Sequence, residues 1–269
     1  MKRFLKEFGL LAIVKLCMIV LRKMKRVHIV NKRIGETPLE AIDRFRLKFP
    51  LYAKEKISYA GRLDPMASGA LLLLVGQENK NRNQYEKLDK EYLFEALFGI
   101  TTDSGDILGL VTATADKVDL SPDAVKNALQ EIEAKKYQYP PQYSSVRVKG
   151  KPLYYWARRG LISEITIPKR EVKIYSIELV NIGCVSVEKL ERIVTKRIGL
   201  VKGDFRQDEI LAGWKNYFAL SPHGPLKVAR MKVTCESGTY VRSIAADLGG
   251  ILEIPALSLN IKRTKILFP

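Results

Sequence analysis

The sequence contains few residues of the kinds that bind metals or form disulfide bonds. Its 269 residues include three cysteines and two histidines, namely Cys17, Cys184, Cys235, His28 and His223. The cysteines are odd in number and widely spaced, without a Cys-x-x-Cys pair, so they favour neither a disulfide framework nor a zinc site. This cysteine usage fits a reducing cytoplasm, where we expect the protein to reside.

The sequence also lacks an uninterrupted apolar run long enough to span a bilayer. Residues 8–21 are largely apolar, but Lys15 interrupts them, and a spanning helix requires roughly 20 apolar residues. A signal peptide is one interpretation of residues 1–23, although basic residues stand where a small-residue cleavage site is expected. A basic amphipathic helix on a membrane or on RNA is a second. The sequence favours a third interpretation, in which Met24 is the true start and residues 1–23 are an extension.

Acidic residues are scarce beside basic ones. The chain has 46 Lys and Arg against 29 Asp and Glu, a net charge of +17, which favours nucleic acid or an anionic membrane surface as a partner. Between residues 135 and 173, ten basic residues face two acidic ones and are interleaved with aromatic side chains, namely Tyr137, Tyr139, Tyr143, Tyr154, Tyr155 and Trp156. Cations neutralise phosphates and aromatic rings stack on unpaired bases. The mixture therefore favours RNA over lipid, although several of the rings equally suit a core.

Capping residues and apolar patterns predict strands and helices that mix without regular alternation. A strand over residues 26–31 precedes a helix with Thr37 as its N-cap and Glu40 completing a capping box. The apolar stripe predicted for this helix comprises Leu39, Ile42, Phe45 and Leu47. Residues 57–69 are predicted as a loop, and the apolar run at 70–75 as a strand buried on both faces.

Later segments continue the irregular order. The sequence predicts a strand over residues 143–148, two helices within 186–220, a helix after Gly238 and a basic strand over 259–267. Such an order favours an α+β fold over a doubly wound sheet. Because the sequence shows no internal repeat and no low-complexity linker, we expect one folded body over residues 24–269.

Three segments carry residues suited to chemistry. Asp64 lies in Gly-Arg-Leu-Asp-Pro-Met-Ala-Ser-Gly at 61–69, a loop just before the buried apolar run. A rigid loop on a buried sheet holds a catalytic carboxylate in place, but an Asp-Pro turn explains the same residues. The other segments are Lys-Glu-Tyr at 90–92 and Gly-Thr-Tyr-Val-Arg at 238–242. Each alone has an ordinary structural explanation.

Taken together and in this order, the three segments closely resemble the motifs of the TruB family of tRNA pseudouridine synthases. Further similar segments are Pro-Pro-Gln-Tyr-Ser-Ser at 140–145, Gly-Lys-Pro-Leu-Tyr at 150–154, Ala-Arg-Arg-Gly at 157–160 and Ile-Lys-Arg-Thr at 261–264. The resemblance covers residues 27–266. It implies the pseudouridine synthase fold, an α+β fold with a mixed, largely antiparallel central sheet flanked by helices and an RNA-binding cleft across the sheet.

The resemblance implies an isomerase that converts a uridine to pseudouridine without a metal or a cofactor. It assigns Asp64 as the catalytic nucleophile and Arg242 as the fixed cation that keeps the carboxylate ionised. Tyr92 becomes the platform for a base swung out of its stack, with a hydroxyl available for proton transfer, and Tyr240 braces the pocket.

The resemblance also implies a second set of residues that contact the RNA or the base, namely Tyr59, Arg62, Asp106, Ile261 and Lys32. Ile261 supplies an apolar wall, and Asp106 either contacts RNA or caps its own turn. Lys32 corresponds to a lysine near the N-terminus of the family. The expected partner is the T-arm of tRNA, with position 55 of the T-loop as the target, and neither an obligate protein partner nor a membrane is implied. A non-catalytic tRNA-binding or folding chaperone on the same scaffold is the alternative.

The sequence departs from the family pattern in three places. Tyr59 stands in a segment where the family carries His-Thr-Gly, and a phenol stacks like an imidazole but does not accept a proton in the same way. Residues 182–225 are longer than the usual connection, and apolar spacing within them predicts an inserted amphipathic helix, which we expect to be a surface elaboration. The chain ends at Pro269, so we expect no C-terminal RNA-binding domain.

Overall fold

The computed structural model describes residues 25–220 and 224–269. The interpretations of residues 1–23 and of Met24 as the start lie outside these residues. No helix in the described ranges is both long and apolar enough to cross a membrane.

The described chain contains thirteen strands and seven α-helices. In chain order the strands are β1 (Val27–Lys32), β2 (Ile57–Ala60), β3 (Ala67–Val75), β4 (Asp89–Phe98), β5 (Ile100–Thr102), β6 (Val111–Thr114), β7 (Tyr137–Gln138), β8 (Arg147–Val148), β9 (Lys151–Pro152), β10 (Arg170–Glu171), β11 (Ile174–Val185), β12 (Leu226–Cys235) and β13 (Ala256–Leu267). The helices are α1 (Pro38–Lys48), α2 (Arg82–Glu86), α3 (Pro122–Ala134), α4 (Leu153–Ala157), α5 (Val187–Gly199), α6 (Gln207–Leu220) and α7 (Val241–Ile251).

One seven-stranded sheet organises the fold. Its strands neighbour one another in the order β1-β3-β13-β4-β12-β11, and β2 also pairs with β3. All neighbouring strands are antiparallel except β13 and β3, which run parallel. The predicted α+β fold with a mixed, largely antiparallel sheet is therefore confirmed.

Helix α1 shows how local sequence specifies an element. The Thr37 hydroxyl accepts a hydrogen bond from the Glu40 backbone N–H, and the Glu40 carboxylate accepts one from the Thr37 N–H, so the predicted capping box is confirmed. The predicted apolar stripe was too wide. Its inner members are buried, but Leu39 is 65% and Leu47 84% exposed, because only one narrow face of α1 meets the sheet.

Of the three hydrophobic clusters in the described residues, two pack helices against the sheet. The larger cluster joins α1, α3 and α7 to the inner residues of the sheet. The second cluster contains apolar residues of α5 and α6 together with Met66, Leu97, Ile107 and Leu257. The helices between residues 182 and 225 therefore bury a core of their own against the sheet, and the expectation of a surface elaboration was wrong.

Two predicted segments differ in the structure. The predicted loop at 57–69 is shortened to residues 61–66, because residues 57–60 pair antiparallel with β3 as β2. The predicted strand at 143–148 retains only Arg147–Val148. Residue 143 consequently keeps a backbone carbonyl that is free to accept a side-chain donor.

Candidate active site

The Asp64 loop is fixed on both sides by paired strands. The Asp64 carbonyl accepts a hydrogen bond from the Ala67 N–H at 3.0 Å, and the Pro65 carbonyl accepts one from the Gly35 N–H at 2.8 Å. The Asp64 side chain remains 36% exposed and lines a cleft of about 880 Å³. A tight backbone thus presents a carboxylate to an open cavity.

Lys32 supports this loop from inside the protein. Its ammonium is fully buried and donates to the carbonyls of Ala67 at 2.6 Å, Arg33 at 2.9 Å and Pro65 at 3.4 Å. Burial lowers the pKa of Lys32 to about 8, against the opposing effect of Glu36 and Asp64. The sequence interpretation placed Lys32 on the RNA. The structure corrects it, because a fully buried ammonium cannot reach a bound nucleotide.

Arg242 is the counter-charge of Asp64. It lies in the first turn of α7, with its side chain only 4% exposed, and its Nε is 2.9 Å from Asp64 Oδ2. The Nε–H is poorly aligned with that oxygen, so we describe the contact as an ion pair. The two terminal nitrogens donate to backbone carbonyls, Nη1 to Ser104 at 2.8 Å and Nη2 to Tyr143 at 3.2 Å.

Asp106 is a second carboxylate near Arg242 and, unlike Asp64, it is buried. Its Oδ2 lies 3.7 Å from Arg242 Nε, while its Oδ1 accepts from the Leu108 N–H at 2.8 Å and the Ser104 hydroxyl at 2.9 Å. Burial raises the pKa of Asp106, and Arg242 opposes the rise. Asp106 therefore does cap its turn, the second of the two roles considered from the sequence, and it also lines the cleft.

These carboxylates make Arg242 a permanent cation. Burial alone would lower the pKa of Arg242, but Asp64 and Asp106 outweigh it and the pKa is raised. A buried guanidinium with carboxylate and carbonyl partners has little freedom to rotate. The charge facing Asp64 is fixed in both sign and position.

Tyr92 lies in the wall of the same cleft, on β4. The ring is buried, and burial raises the pKa of its phenol against the effect of Arg263. Tyr240, which precedes α7, and Ile261, on β13, also line the cleft. The buried Gln138 side chain holds the Tyr240 backbone, accepting from its N–H at 2.9 Å and donating to its carbonyl at 3.1 Å. The structure therefore brings together all four side chains assigned to catalysis.

Tyr59 and Arg62 lie at the exposed end of the cleft. Arg62 Nη2 donates to the Tyr59 hydroxyl at 3.1 Å, and the Arg82 guanidinium lies 5.5 Å from the Tyr59 ring centre. Two cations beside an aromatic ring suit contact with an unpaired base.

The sequence interpretation missed two cations in the cleft wall. Arg263 is almost fully buried and donates to the Ala70 carbonyl at 2.6 Å and the Gly61 carbonyl at 2.9 Å. Lys90 is also buried, with a pKa lowered by burial to about 8, and donates to the Glu86 carbonyl at 2.8 Å. Both residues stand in the quoted motifs, but neighbouring residues in those motifs received the roles.

The sequence interpretation also missed the contribution of residues 182–225, which were predicted to contain an insertion. Asp204, Phe205 and Arg206, between α5 and α6, line the cleft. No signal in the local sequence indicated that this connection returns to the Asp64 loop. Among the described residues, no group of three or more His, Cys, Asp or Glu side chains is arranged to hold a metal ion.

Comparison with solved structures shows which fold this is. The chain superimposes on a chain of the "Crystal Structure of a Cbf5-Nop10-Gar1 Complex" with a TM-score of 0.54 and 18% identity, over 90% of this chain and 48% of the other. It superimposes on a chain of the "Crystal structure of the archaeal box H/ACA sRNP Nop10-Cbf5 complex" with a TM-score of 0.50 and 17% identity, over 92% and 50%. These similarities confirm the pseudouridine synthase fold that the sequence resemblance implied.

Comparison of sequences identifies the family. Residues 50–196 match the family described as "TruB family pseudouridylate synthase (N terminal domain)". The chain belongs to the TruB family of pseudouridylate synthases.

Similar full-length sequences carry the name "tRNA pseudouridine synthase B". The protein from Endomicrobium trichonymphae is 29% identical over 88% of this chain and 83% of its own length. The protein from Clostridium kluyveri is 32% identical over 87% and 64%, and that from Borrelia garinii subsp. bavariensis is 31% identical over 88% and 68%. The chain therefore spans about two thirds of the length of the latter two relatives.

Proposed function

We propose that this chain converts a uridine of tRNA to pseudouridine, at position 55 of the T-loop, with Asp64 as the catalytic nucleophile. The observation that carries the proposal is the ion pair of 2.9 Å between Asp64 and the buried Arg242, inside a cleft that Tyr92 also lines. Relatives named for this activity on tRNA support the choice of substrate.

The reaction needs little besides a carboxylate and a pocket. The N1–C1′ glycosidic bond breaks, the uracil turns, and a C5–C1′ bond forms while C5 loses its proton and N1 gains one. Atoms and electrons balance without an oxidant or a reductant. Attack of Asp64 on the sugar carbon, attack on the uracil ring and removal of a sugar proton all begin from the same ionised carboxylate.

Arg242 places a fixed positive charge against that carboxylate. Its guanidinium lies 2.9 Å from Asp64 Oδ2, and an ion pair strengthens when a bound base excludes water from the cleft. Because the cation is held by Ser104 and Tyr143 carbonyls, it also fixes where the carboxylate points.

Tyr92 receives the base that has left the RNA stack. Base stacking on a buried aromatic ring compensates for the stacking lost in the RNA. An ordinary tyrosine hydroxyl is protonated at neutral pH, and burial raises the pKa of Tyr92 further. The Tyr92 hydroxyl is therefore available as a donor for the late proton transfer. Tyr240 and Ile261 form the remaining walls of the base pocket.

The surface around the cleft is suited to the T-arm backbone. Tyr137, Tyr139 and Tyr154 are exposed, and cations lie near such rings, with Lys169 at 5.6 Å from Tyr139. Tyr59 and Arg62 at the rim contact the RNA loop as it opens. The chain's net charge of +17 supplies affinity without requiring a protein partner, and its cysteine usage suits the cytoplasm.

Release of tritium from tRNA labelled at uracil C5 tests the proposal. The wild-type protein releases tritium, whereas Asp64→Asn, which keeps the shape of the side chain without its charge, releases none and still binds tRNA. Loss of release in Asp64→Asn together with loss of binding would point to a folding defect, so thermal unfolding of both proteins is the control.

Two outcomes would replace the proposal. Binding of tRNA without tritium release by the wild-type protein would favour the non-catalytic chaperone. Release from a uridine outside the T-loop, mapped by chemical detection of pseudouridine along the tRNA, would reject position 55 while retaining the enzyme.

A further inference from the structure

The connection between α5 and α6 returns to the active cleft. Leu200 lies against Gly35, where a Cβ built on the glycine would stand 2.4 Å from Leu200 Cβ, and the Gly35 N–H binds the Asp64 loop. Further along, Asp204, Phe205 and Arg206 line the cleft itself. The connection thus contacts Gly35, which binds the Asp64 loop, at one point and forms part of the cleft wall at another.

Arg206 contacts two segments that approach each other beside the site, one at Asp103 and the other at Tyr143. Its Nη2 donates to Asp103 Oδ2 at 2.9 Å, and its guanidinium carbon lies 4.2 Å from the centre of the Tyr143 ring. The Tyr143 hydroxyl lies beside the same Asp103 carboxylate. Asp103, in turn, holds its own loop, because its Oδ1 accepts from the Leu110 N–H at 2.9 Å.

These two segments are the ones that hold Arg242. The carbonyl of Ser104, next to Asp103, accepts from Arg242 Nη1, and the carbonyl of Tyr143 accepts from Arg242 Nη2. Movement of either carbonyl would therefore move the guanidinium that faces Asp64.

The backbone at Arg206 indicates that this contact is held under constraint. Its φ of 62° lies in the left-handed region, which residues with a side chain rarely adopt unless their surroundings impose it. The Arg206 N–H donates to Asp204 Oδ1 at 3.3 Å, and its carbonyl accepts from the Ile210 N–H at 3.0 Å at the start of α6. The side chain is half-buried and paired, as expected of a brace rather than of a free RNA-binding cation.

We propose that Arg206 is a positioning residue, supplied by the inserted segment, which locks the Asp103 loop and Tyr143 together and so holds Arg242 against Asp64. Arg206 does not touch the substrate. The inference rests on the proposed isomerisation, and it goes beyond it by making the inserted segment part of the catalytic apparatus.

Single-turnover kinetics on tRNA tests the inference, with Arg206→Ala, Arg206→Lys and Lys202→Ala compared with wild type. Arg206→Ala should lower the rate at saturating enzyme about 10-fold or more, as loss of positioning does, with a tRNA dissociation constant within about twofold of wild type. Arg206→Lys keeps the charge beside Asp103 and should recover part of the rate. Lys202, in the same connection but paired only with Glu40 at 3.6 Å, should have no effect on either quantity.

A coupling test separates positioning from folding. The double variant Arg206→Ala with Asp103→Asn should be no slower than the slower single variant, because both remove the same brace. Additive losses of rate would overturn the inference, as would a normal rate in Arg206→Ala. A weakened tRNA affinity of Arg206→Ala, with a reduced dependence of that affinity on salt, would show instead that Arg206 binds a phosphate.

Failure of the proposed function gives a different result. In that case the wild-type protein itself would release no tritium.

Discussion

At the scale of single residues, the site holds one guanidinium and two carboxylates close together. Arg242 is buried and lies beside two carboxylates, the buried Asp106 and the partly exposed Asp64. Replacing the guanidinium by a neutral group would leave a buried carboxylate without its counter-charge, which costs far more than the ion pair stabilises. We therefore infer that the arrangement serves to orient the charges rather than to stabilise the fold. Two of the five guanidinium donors are committed to backbone carbonyls, so the orientation of the cation does not depend on the substrate.

Replacing Arg242 by lysine tests whether orientation matters beyond charge. Lysine keeps a cation but cannot reach Asp64 and two carbonyls at once, because its ammonium is a single point at the end of a flexible stem. We expect Arg242→Lys to lower the single-turnover rate by about 100-fold while tRNA affinity, measured by filter binding, stays within about twofold. A large loss of affinity with a normal rate would contradict the place assigned to Arg242.

At the scale of elements, the Asp64 loop is short because two strands pair on either side of it and a buried lysine binds its carbonyls. Gly69 shows how close the packing is. Its φ is +104°, and a Cβ built there would stand 2.2 Å from the Arg263 carbonyl oxygen, so only glycine allows β3 to run beside β13 just after the catalytic carboxylate.

The buried Lys32 should make stability depend on pH in a recognisable way. Its pKa falls from 10.5 to about 8 on burial, so between these values the unfolded chain binds a proton that the folded chain does not. This residue's contribution to the free energy of unfolding therefore rises as the pH increases from about 8 to 10.5. We expect the free energy of unfolding of wild type, measured by urea unfolding, to rise relative to that of Lys32→Met across this pH range. Parallel pH profiles for the two proteins would contradict the assigned burial of a charge.

At the scale of the whole molecule, the segment of residues 182–225 packs against the sheet through a second hydrophobic cluster. Trp214 of α6 is almost fully buried, and its indole N–H donates to the Ile107 carbonyl at 3.1 Å. Arg197 of α5 donates to the Leu259 carbonyl at 2.7 Å. Since Ile107 adjoins Asp106 and Met66 adjoins Pro65, the cluster reaches the back of the active site from two directions.

Removing Trp214 tests whether the inserted segment and the sheet fold as one body. We expect Trp214→Ala to lower the free energy of unfolding by about 3–5 kcal/mol, as large-to-small core substitutions do, in a single urea transition followed by circular dichroism and by intrinsic fluorescence. Lys215→Ala, next in the chain, is the control and should change that free energy by less than about 0.5 kcal/mol. Two separate transitions, or a loss as small as that of the control, would show that the segment is an independent appendage.

Those parts of this protein that depend on local chemistry could be predicted from its sequence. The capping box of α1, the buried run within β3 and the irregular order of strands and helices follow from spacing alone. The ordered segments around Asp64, Tyr92 and Arg242 then indicated the family, because several motifs in one order are far more specific than any one of them.

Features that depend on contacts between distant residues became visible in the folded chain alone. Lys32 was taken for an RNA ligand, since sequence does not reveal which way a charged side chain at a strand end points. The exposed Leu39 and Leu47 and the buried second cluster were missed for a related reason, namely that amphipathic spacing identifies an apolar face but not what covers it. The brace formed by Arg206, Asp103 and Tyr143 joins residues up to 103 positions apart. No local sequence pattern predicts such a contact, because it forms only when the whole sheet folds.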